Sequence, residues 1–78
     1  MNRKEENKPT TKLKETRNKK GISQKELAER AGITLKALQA YEQNYRPLER
    51  ASALDVYQIA KALDTTIEDL LELDNLKK

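Results

Sequence analysis

The sequence predicts an all-α fold, a compact domain of five short helices. Its core must be built from Leu, Ile, Ala and a little Val, because the chain has three Tyr but no Phe and no Trp. Such a composition suits packed helices better than a β-sandwich, which needs more β-branched and aromatic residues. Apolar residues also recur at helical spacing between the Ser, Thr and Gly residues that begin and end helices. A chain of 78 residues forms one small domain at most, which excludes a two-domain enzyme.

The chain divides into a polar arm, a folded domain and a short tail. Residues 1–9 are rich in charge and end in a proline, so we expect a flexible arm there. The domain is expected over residues 10–73. Residues 74–78 are expected to fray, as chain ends without packed neighbours do.

The first two helices have clear start and stop signals. The first is predicted to begin at Thr10 or Thr11 and to end at Gly21, a natural C-cap. The second is predicted to begin at Ser23. There the hydroxyl can accept from the amide of Glu26 while the Glu26 carboxylate reaches back to the amide of Ser23, as in a capping box.

The third helix follows the second after a tight glycine turn. Gly32 is predicted to end the second helix, and Thr34 to cap the third. Leu38 and Tyr41 lie three residues apart on its buried face, and the helix should end near residues 42–43. Two helices joined by a short turn are typical of a helix-turn-helix unit, whose second helix enters the major groove of DNA.

Two more helices are predicted after a loop over residues 43–50. The fourth should run from Ala51 or Ser52 to about residue 63, because apolar residues recur there at the strongest helical spacing in the chain: Val56, Ile59, Ala60 and Leu63. Thr66 is predicted to cap the fifth helix, with Asp69 at its third position. The apolar side of that helix would hold Ile67, Leu70 and Leu71.

Composition excludes several functions and favours a polyanion as partner. The chain has no Cys and no His, so thiol chemistry, zinc sites and the commonest general base are missing, and we expect no enzyme, no metal and no cofactor. No apolar run approaches the length of a membrane span, so we expect a cytoplasmic protein with no membrane contact. The net charge of +3 is uneven: residues 1–22 carry +5, residues 23–50 carry +1 and residues 51–78 carry −3. This asymmetry favours nucleic acid.

The motifs together resemble one family. They are Ser23-Gln24-x-x-Leu27-Ala28-x-x-Ala31-Gly32-Ile33-Thr34, Leu38-x-x-Tyr41-Glu42, Ile59-Ala60-x-Ala62-Leu63 and Ile67-x-x-Leu70-Leu71. Over about residues 11–72 the chain is similar to the Cro/C1-type (xenobiotic-response-element) helix-turn-helix regulators, which include lambdoid phage repressors. The resemblance implies a lambda-repressor-like domain that binds double-stranded DNA.

The resemblance also implies roles for particular residues. Gln24 would contact a phosphate and brace the recognition helix, and Arg17 would form an ion pair with Glu42. Leu38 and Tyr41 face inward, so the base-contacting side chains would be Leu35, Lys36, Gln39 and Ala40. Lys36 could then donate to guanine and Gln39 could pair with adenine, while the two apolar side chains touch thymine methyls. The expected phosphate contacts are Ser23, Gln24, Thr34, Gln43, Asn44, Tyr45 and Arg46. Asn44 stands where relatives carry glycine, and we expect it to keep the left-handed turn.

Two functions fit these expectations. The first is a transcriptional regulator, a repressor that binds a palindromic operator as a homodimer through the fifth helix and the tail, where Leu73 and Leu76 have no place in a monomer core. It would act in a bacterial or phage-derived setting, at the nucleoid. The alternative is an antitoxin or bridging-type module on the same fold, which binds a protein partner. An enzyme would need a carboxylate pair in a cleft, and Glu68, Asp69 and Glu72 are better interpreted as a solvated helix face.

Overall fold

The structure, a computed structural model, describes residues 10–72, and within that range four α-helices form an all-α domain. The helices are α1 (Lys12–Lys20), α2 (Gln24–Ala31), α3 (Leu35–Glu42) and α4 (Ala53–Leu63). No helix within these residues is long and apolar enough to cross a membrane. The predicted arm and tail lie outside the described residues, as does Leu73, the last residue of the predicted domain.

Each helix begins at a Ser or Thr whose side-chain oxygen accepts from the backbone amide three residues further on. The four N-caps are Thr11, Ser23, Thr34 and Ser52, with oxygen-to-nitrogen distances of 3.2, 3.0, 3.0 and 3.1 Å. These caps satisfy amides that have no partner inside the helix. The predicted starts are therefore confirmed. The reciprocal bond expected from the Glu26 carboxylate is replaced by a salt bridge to Arg30 on the same helix, four residues along.

The turn between α2 and α3 depends on glycine. Gly32 has φ of +74°, and a Cβ at this position would lie 3.2 Å from Oε1 of Gln58 on α4. A side chain here would combine backbone strain with a tight contact. The predicted glycine turn is confirmed, and it brings α3 across α2 after only three residues. Asn44 also keeps the left-handed turn, with φ of +63°.

The core is formed mainly by apolar side chains of the four helices. The largest fully buried side chains on these helices are Leu13, Leu27, Leu38, Ile59 and Leu63, and Leu70 after α4 is buried with them. Leu48 is also buried, although the sequence predicted only a loop over residues 43–50. A 3-10 turn, Leu48–Arg50, lies within that loop and directs Leu48 into the core. The sequence predicted the loop but not this 3-10 turn or the burial of Leu48.

The prediction of a fifth helix was wrong, because the segment that begins at Thr66 forms a turn and no α-helix. Thr66 does cap the segment, accepting from the amide of Asp69 at 3.2 Å, and Leu70 is buried, but only one helical turn forms. The amide of Glu72 donates to the Glu49 carboxylate at 2.6 Å instead of continuing the helical ladder. The Glu72 carboxylate accepts from the amide of Lys12 at 2.6 Å. These two contacts tie the segment to the rest of the domain and end the turn.

Candidate nucleic-acid interface

A buried ion pair holds the end of α3 against α1. Nε of Arg17 lies 2.6 Å from Oε2 of Glu42, and Nη2 donates to Oε1 at 3.2 Å. The side chains are 10% and 1% exposed, respectively. Nη1 of Arg17 donates to the carbonyl of Ile22 at 2.8 Å. The two-point geometry fixes both the distance and the rotation of α3 relative to α1.

Glu42 also binds two further residues. Its side-chain carboxylate and its backbone carbonyl together connect α1, α2 and α3. Nε2 of Gln24, the first residue of α2, donates to Oε1 of Glu42 at 2.9 Å. The hydroxyl of Thr11, which precedes α1, donates to the Glu42 carbonyl at 2.9 Å. Sequence reasoning missed this second role of Thr11. The sequence marks Thr11 as the cap of α1, but it contains no signal that the same side chain also donates to the last residue of α3.

Four side chains of α3 are expected to contact DNA bases: Leu35, Lys36, Gln39 and Ala40. Leu35 is 41% exposed, and Lys36 is exposed beside it. Gln39 and Ala40 are half-buried. Gln39 also has a contact inside the protein that the sequence did not predict, because its Nε2 donates to Oε1 of Gln24 at 3.3 Å. The structure thus places Leu35 and Lys36 outward, and Gln39 at the edge between α2 and α3.

The loop after α3 presents four exposed polar side chains at residues 43–46. Its backbone is held by the carbonyl of Ala40, which accepts from the amides of Tyr45 and Arg46 at 2.9 and 3.2 Å. Tyr45 is 78% exposed. The guanidinium of Arg46 lies over the ring of Tyr41, 5.1 Å from its centre, so a cation–π contact joins this exposed cation to a core residue.

Ser23 and Thr34 are the N-cap residues of α2 and α3. Both are exposed, and their side-chain oxygens already accept from backbone amides in their own helices. Each hydroxyl still has a proton to donate, which suits a phosphate oxygen. The helix starts themselves add partial positive charge. Anions are therefore favoured at both positions.

Tyr41 connects the interface to α4. Its hydroxyl donates to the Asp55 carboxylate at 3.2 Å. Burial raises the pKa of Tyr41 above the ordinary value of 10.0, Arg46 opposes the shift, and Asp55 adds to it.

We expect the free energy of unfolding to fall as the pH rises above 10.0, the ordinary tyrosine value, towards the raised pKa of Tyr41. The unfolded chain loses this proton first, so alkaline pH favours unfolding. The measurement is urea denaturation of the natural chain and of Tyr41→Phe at several pH values. Tyr41→Phe keeps the ring but should show a smaller alkaline loss, and equal losses in the two proteins would contradict the assignment.

The comparisons with known proteins agree with this geometry. A helix-turn-helix family model matches residues 13–70. The chain belongs to the Cro/C1-type helix-turn-helix family. This helix-turn-helix protein is thus a DNA-binding transcriptional regulator, with α2 and α3 as the motif. Its structure is similar to the crystal structure of the restriction-modification controller protein C.AhdI from Aeromonas hydrophila, at 30% identity and a TM-score of 0.69. That likeness covers 77% of this chain and 86% of C.AhdI. No curated protein matches the chain.

Proposed function

We propose that this regulator represses transcription by binding a palindromic operator as a homodimer in the cytoplasm. The observation that carries the proposal is the exposed first turn of α3, where Leu35 and Lys36 project from a helix fixed by the buried pair of Arg17 and Glu42. A recognition helix needs such a rigid base, because hydrogen bonds to base edges are strongly directional. The proposed base contacts are Leu35, Lys36, Gln39 and Ala40. The proposed phosphate contacts are Ser23, Gln24, Thr34, Gln43, Asn44, Tyr45 and Arg46.

The homodimer follows from the small size of the interface. One short helix in one groove buries too little area for specific affinity, so two subunits on half-sites about 34 Å apart are expected. We place the contact between subunits on the segment after α4 and the tail. Ile67 supports this, because it is apolar and 37% exposed. Sedimentation of the free protein and of its complex tests the stoichiometry.

The main test is selection of bound sequences from a random duplex pool, followed by titration of the winner and of scrambled DNA at two salt concentrations. We expect a palindromic motif bound about a thousandfold or more tightly than scrambled DNA. Failure to enrich any motif, with only weak salt-sensitive binding, would overturn the proposal and favour a protein partner, as in an antitoxin.

Among the donors that separate these two functions, Lys36 is the most informative. Gln24 binds Glu42 and Arg46 lies over Tyr41, so both have a role inside the fold whatever the partner is. Lys36 forms no hydrogen bond or ion pair with any residue in the range 10–72. A partner with acceptor groups, such as guanine, gives it a function.

Removing the charge of Arg46 should weaken binding to all DNA sequences alike. In Arg46→Gln we expect the slope of log affinity against log salt to become shallower by about 0.9, because one fewer counterion is released. The control is Arg46→Lys, which keeps the charge and should keep the slope. A change of base preference in Arg46→Gln, with an unchanged slope, would show that Arg46 contacts bases instead.

A further inference from the structure

Arg46 contacts the rest of the domain at both of its ends, although it is exposed to solvent. Its backbone amide donates to the carbonyl of Ala40 at 3.2 Å, and the proline that follows, Pro47, disfavours a helical backbone at Arg46. Its side chain ends over the ring of Tyr41, 5.1 Å from the ring centre. The loop thus presents a cation whose backbone and guanidinium both have partners inside the protein.

The ring under Arg46 belongs to the core. Tyr41 is 2% exposed, and its hydroxyl donates to the Asp55 carboxylate at 3.2 Å. Asp55 lies in the first turn of α4, where its amide donates to the Ser52 hydroxyl at 3.1 Å. Close packing restricts the ring, and a hydrogen bond to a carboxylate is stronger than one between neutral groups. The orientation of the ring is therefore set by the core and by α4.

The contact with Tyr41 does not neutralise the charge of Arg46. A carboxylate would also attract the guanidinium, but it would cancel the charge and occupy the N–H groups. An aromatic ring attracts the cation through its quadrupole and has no net charge. Among residues 10–72, no side-chain hydrogen bond or salt bridge of Arg46 is present. Its N–H groups are therefore available to an anion, and their planar arrangement suits phosphate oxygens.

We propose that Tyr41 is a positioning residue for Arg46: its ring, oriented by Asp55, keeps the guanidinium in place for a DNA phosphate and so raises the affinity for all sequences alike. At 2% exposure, Tyr41 itself has almost no surface that DNA could contact. A side chain that is ordered before binding loses less conformational entropy in the complex. The inference rests on the proposed contact between Arg46 and phosphate.

The experiment is a double-mutant cycle on DNA binding. Tyr41→Leu, which keeps an apolar side chain but removes the aromatic face, is made in the natural chain and in Arg46→Gln. In the natural chain we expect it to weaken binding by about threefold to tenfold for each bound subunit, the effect of leaving one flexible side chain to be ordered on binding. In Arg46→Gln the same change should weaken binding by less than about twofold, because the residue that it positions is already gone.

Two controls separate positioning from loss of charge or of packing. Tyr41→Leu keeps the cation, so the slope of log affinity against log salt should not change while the affinity falls. Tyr41→Phe keeps the ring and should lose less affinity than Tyr41→Leu. Tyr57→Leu is the matched control, because it removes another ring with a cation over it, that of Lys61 at 5.9 Å on α4. It should leave the affinity unchanged.

Nuclear magnetic resonance of the free natural protein gives a second test, which holds even if Tyr41→Leu folds poorly. The ring current of an aromatic side chain shifts protons above its face upfield. We expect the side-chain protons of Arg46 to be shifted upfield relative to those of Arg50, which is also exposed. The order parameter of the Nε–H group should lie above about 0.6 in Arg46 and below that value in Arg50.

The outcomes separate this inference from the proposed function. Equal losses of affinity in the two halves of the cycle, or in Tyr41→Leu and Tyr41→Phe, would overturn the inference and limit Tyr41 to a role in folding. Arg46 signals that match those of Arg50 in shift and order parameter would overturn it too. Phosphate contacts do not depend on sequence, so the cycle can be measured on scrambled DNA at low salt. Failure to enrich a motif would therefore contradict the proposed function while the cycle still decides on Tyr41, and no binding to any duplex would overturn both.

Discussion

Replacing Arg17 with alanine is expected to lower the free energy of unfolding by about 3–5 kcal/mol, the effect of breaking a buried ion pair from one side. The variant leaves the Glu42 carboxylate, 1% exposed, without the guanidinium that binds both of its oxygens. Gln24 and the backbone cannot replace that charge. Urea denaturation followed by circular dichroism measures the change.

Two controls distinguish this burial effect from a simple loss of charge. Arg30→Ala breaks the exposed pair with Glu26, whose side chains are 51% and 46% exposed, and should cost about 0.5 kcal/mol or less. The double variant Arg17→Met with Glu42→Leu should be more stable than Arg17→Ala, because no buried charge is left unpaired. A loss below about 1 kcal/mol in Arg17→Ala would show that water reaches Glu42.

The double variant also separates stability from function. It restores packing between α1 and α3 but removes the acceptor that orients Gln24. We therefore expect a folded protein whose recognition helix is less well fixed, with weaker discrimination between operators. That result would assign the buried pair a role in specificity in addition to stability.

The parts of the fold that depend on neighbouring residues in the chain were predictable. The caps at Ser23 and Thr34 and the turn at Gly32 follow from contacts within four residues, and the structure confirms them. The fifth helix was wrongly predicted because its end is decided elsewhere. The amide of Glu72 donates to the carboxylate of Glu49 and not to a helical carbonyl. The two residues are 23 positions apart, so no local sequence pattern predicts this contact.

In the candidate interface, too, local features were predictable from the sequence and contacts between separate elements were not. The outward position of Lys36 follows from the helical period, since Leu38 and Tyr41 are on the other side. The bond from Gln39 to Gln24 and the stacking of Arg46 on Tyr41 depend on how separate elements pack. Spacing along the chain carries no information about either, so the sequence predicted DNA contacts for Gln39 and Arg46 but not these contacts inside the protein.

Replacing Lys36 with alanine is expected to cost about 1–3 kcal/mol of binding free energy on the preferred operator and to relax the preference at one base position. The same change should leave the fold as stable or raise the free energy of unfolding by a few tenths of a kcal/mol. Lys36 lies in the first turn of α3, where no acidic residue balances its charge against the helix dipole. A cation at that end of a helix is unfavourable for folding, so its presence is best explained by what it binds.

The test of Lys36 compares binding to the selected operator and to versions changed at each position, together with unfolding in urea. Lys61→Ala is the matched control, because it removes the same charge from the last turn of α4, where Lys61 lies over the ring of Tyr57. We expect that control to keep the base preference. Lys36→Arg should retain a preference for guanine, since a guanidinium also donates to O6 and N7. Equal weakening on every sequence in Lys36→Ala would instead assign Lys36 to the phosphates, and the reading of bases would then depend on Leu35, Gln39 and Ala40.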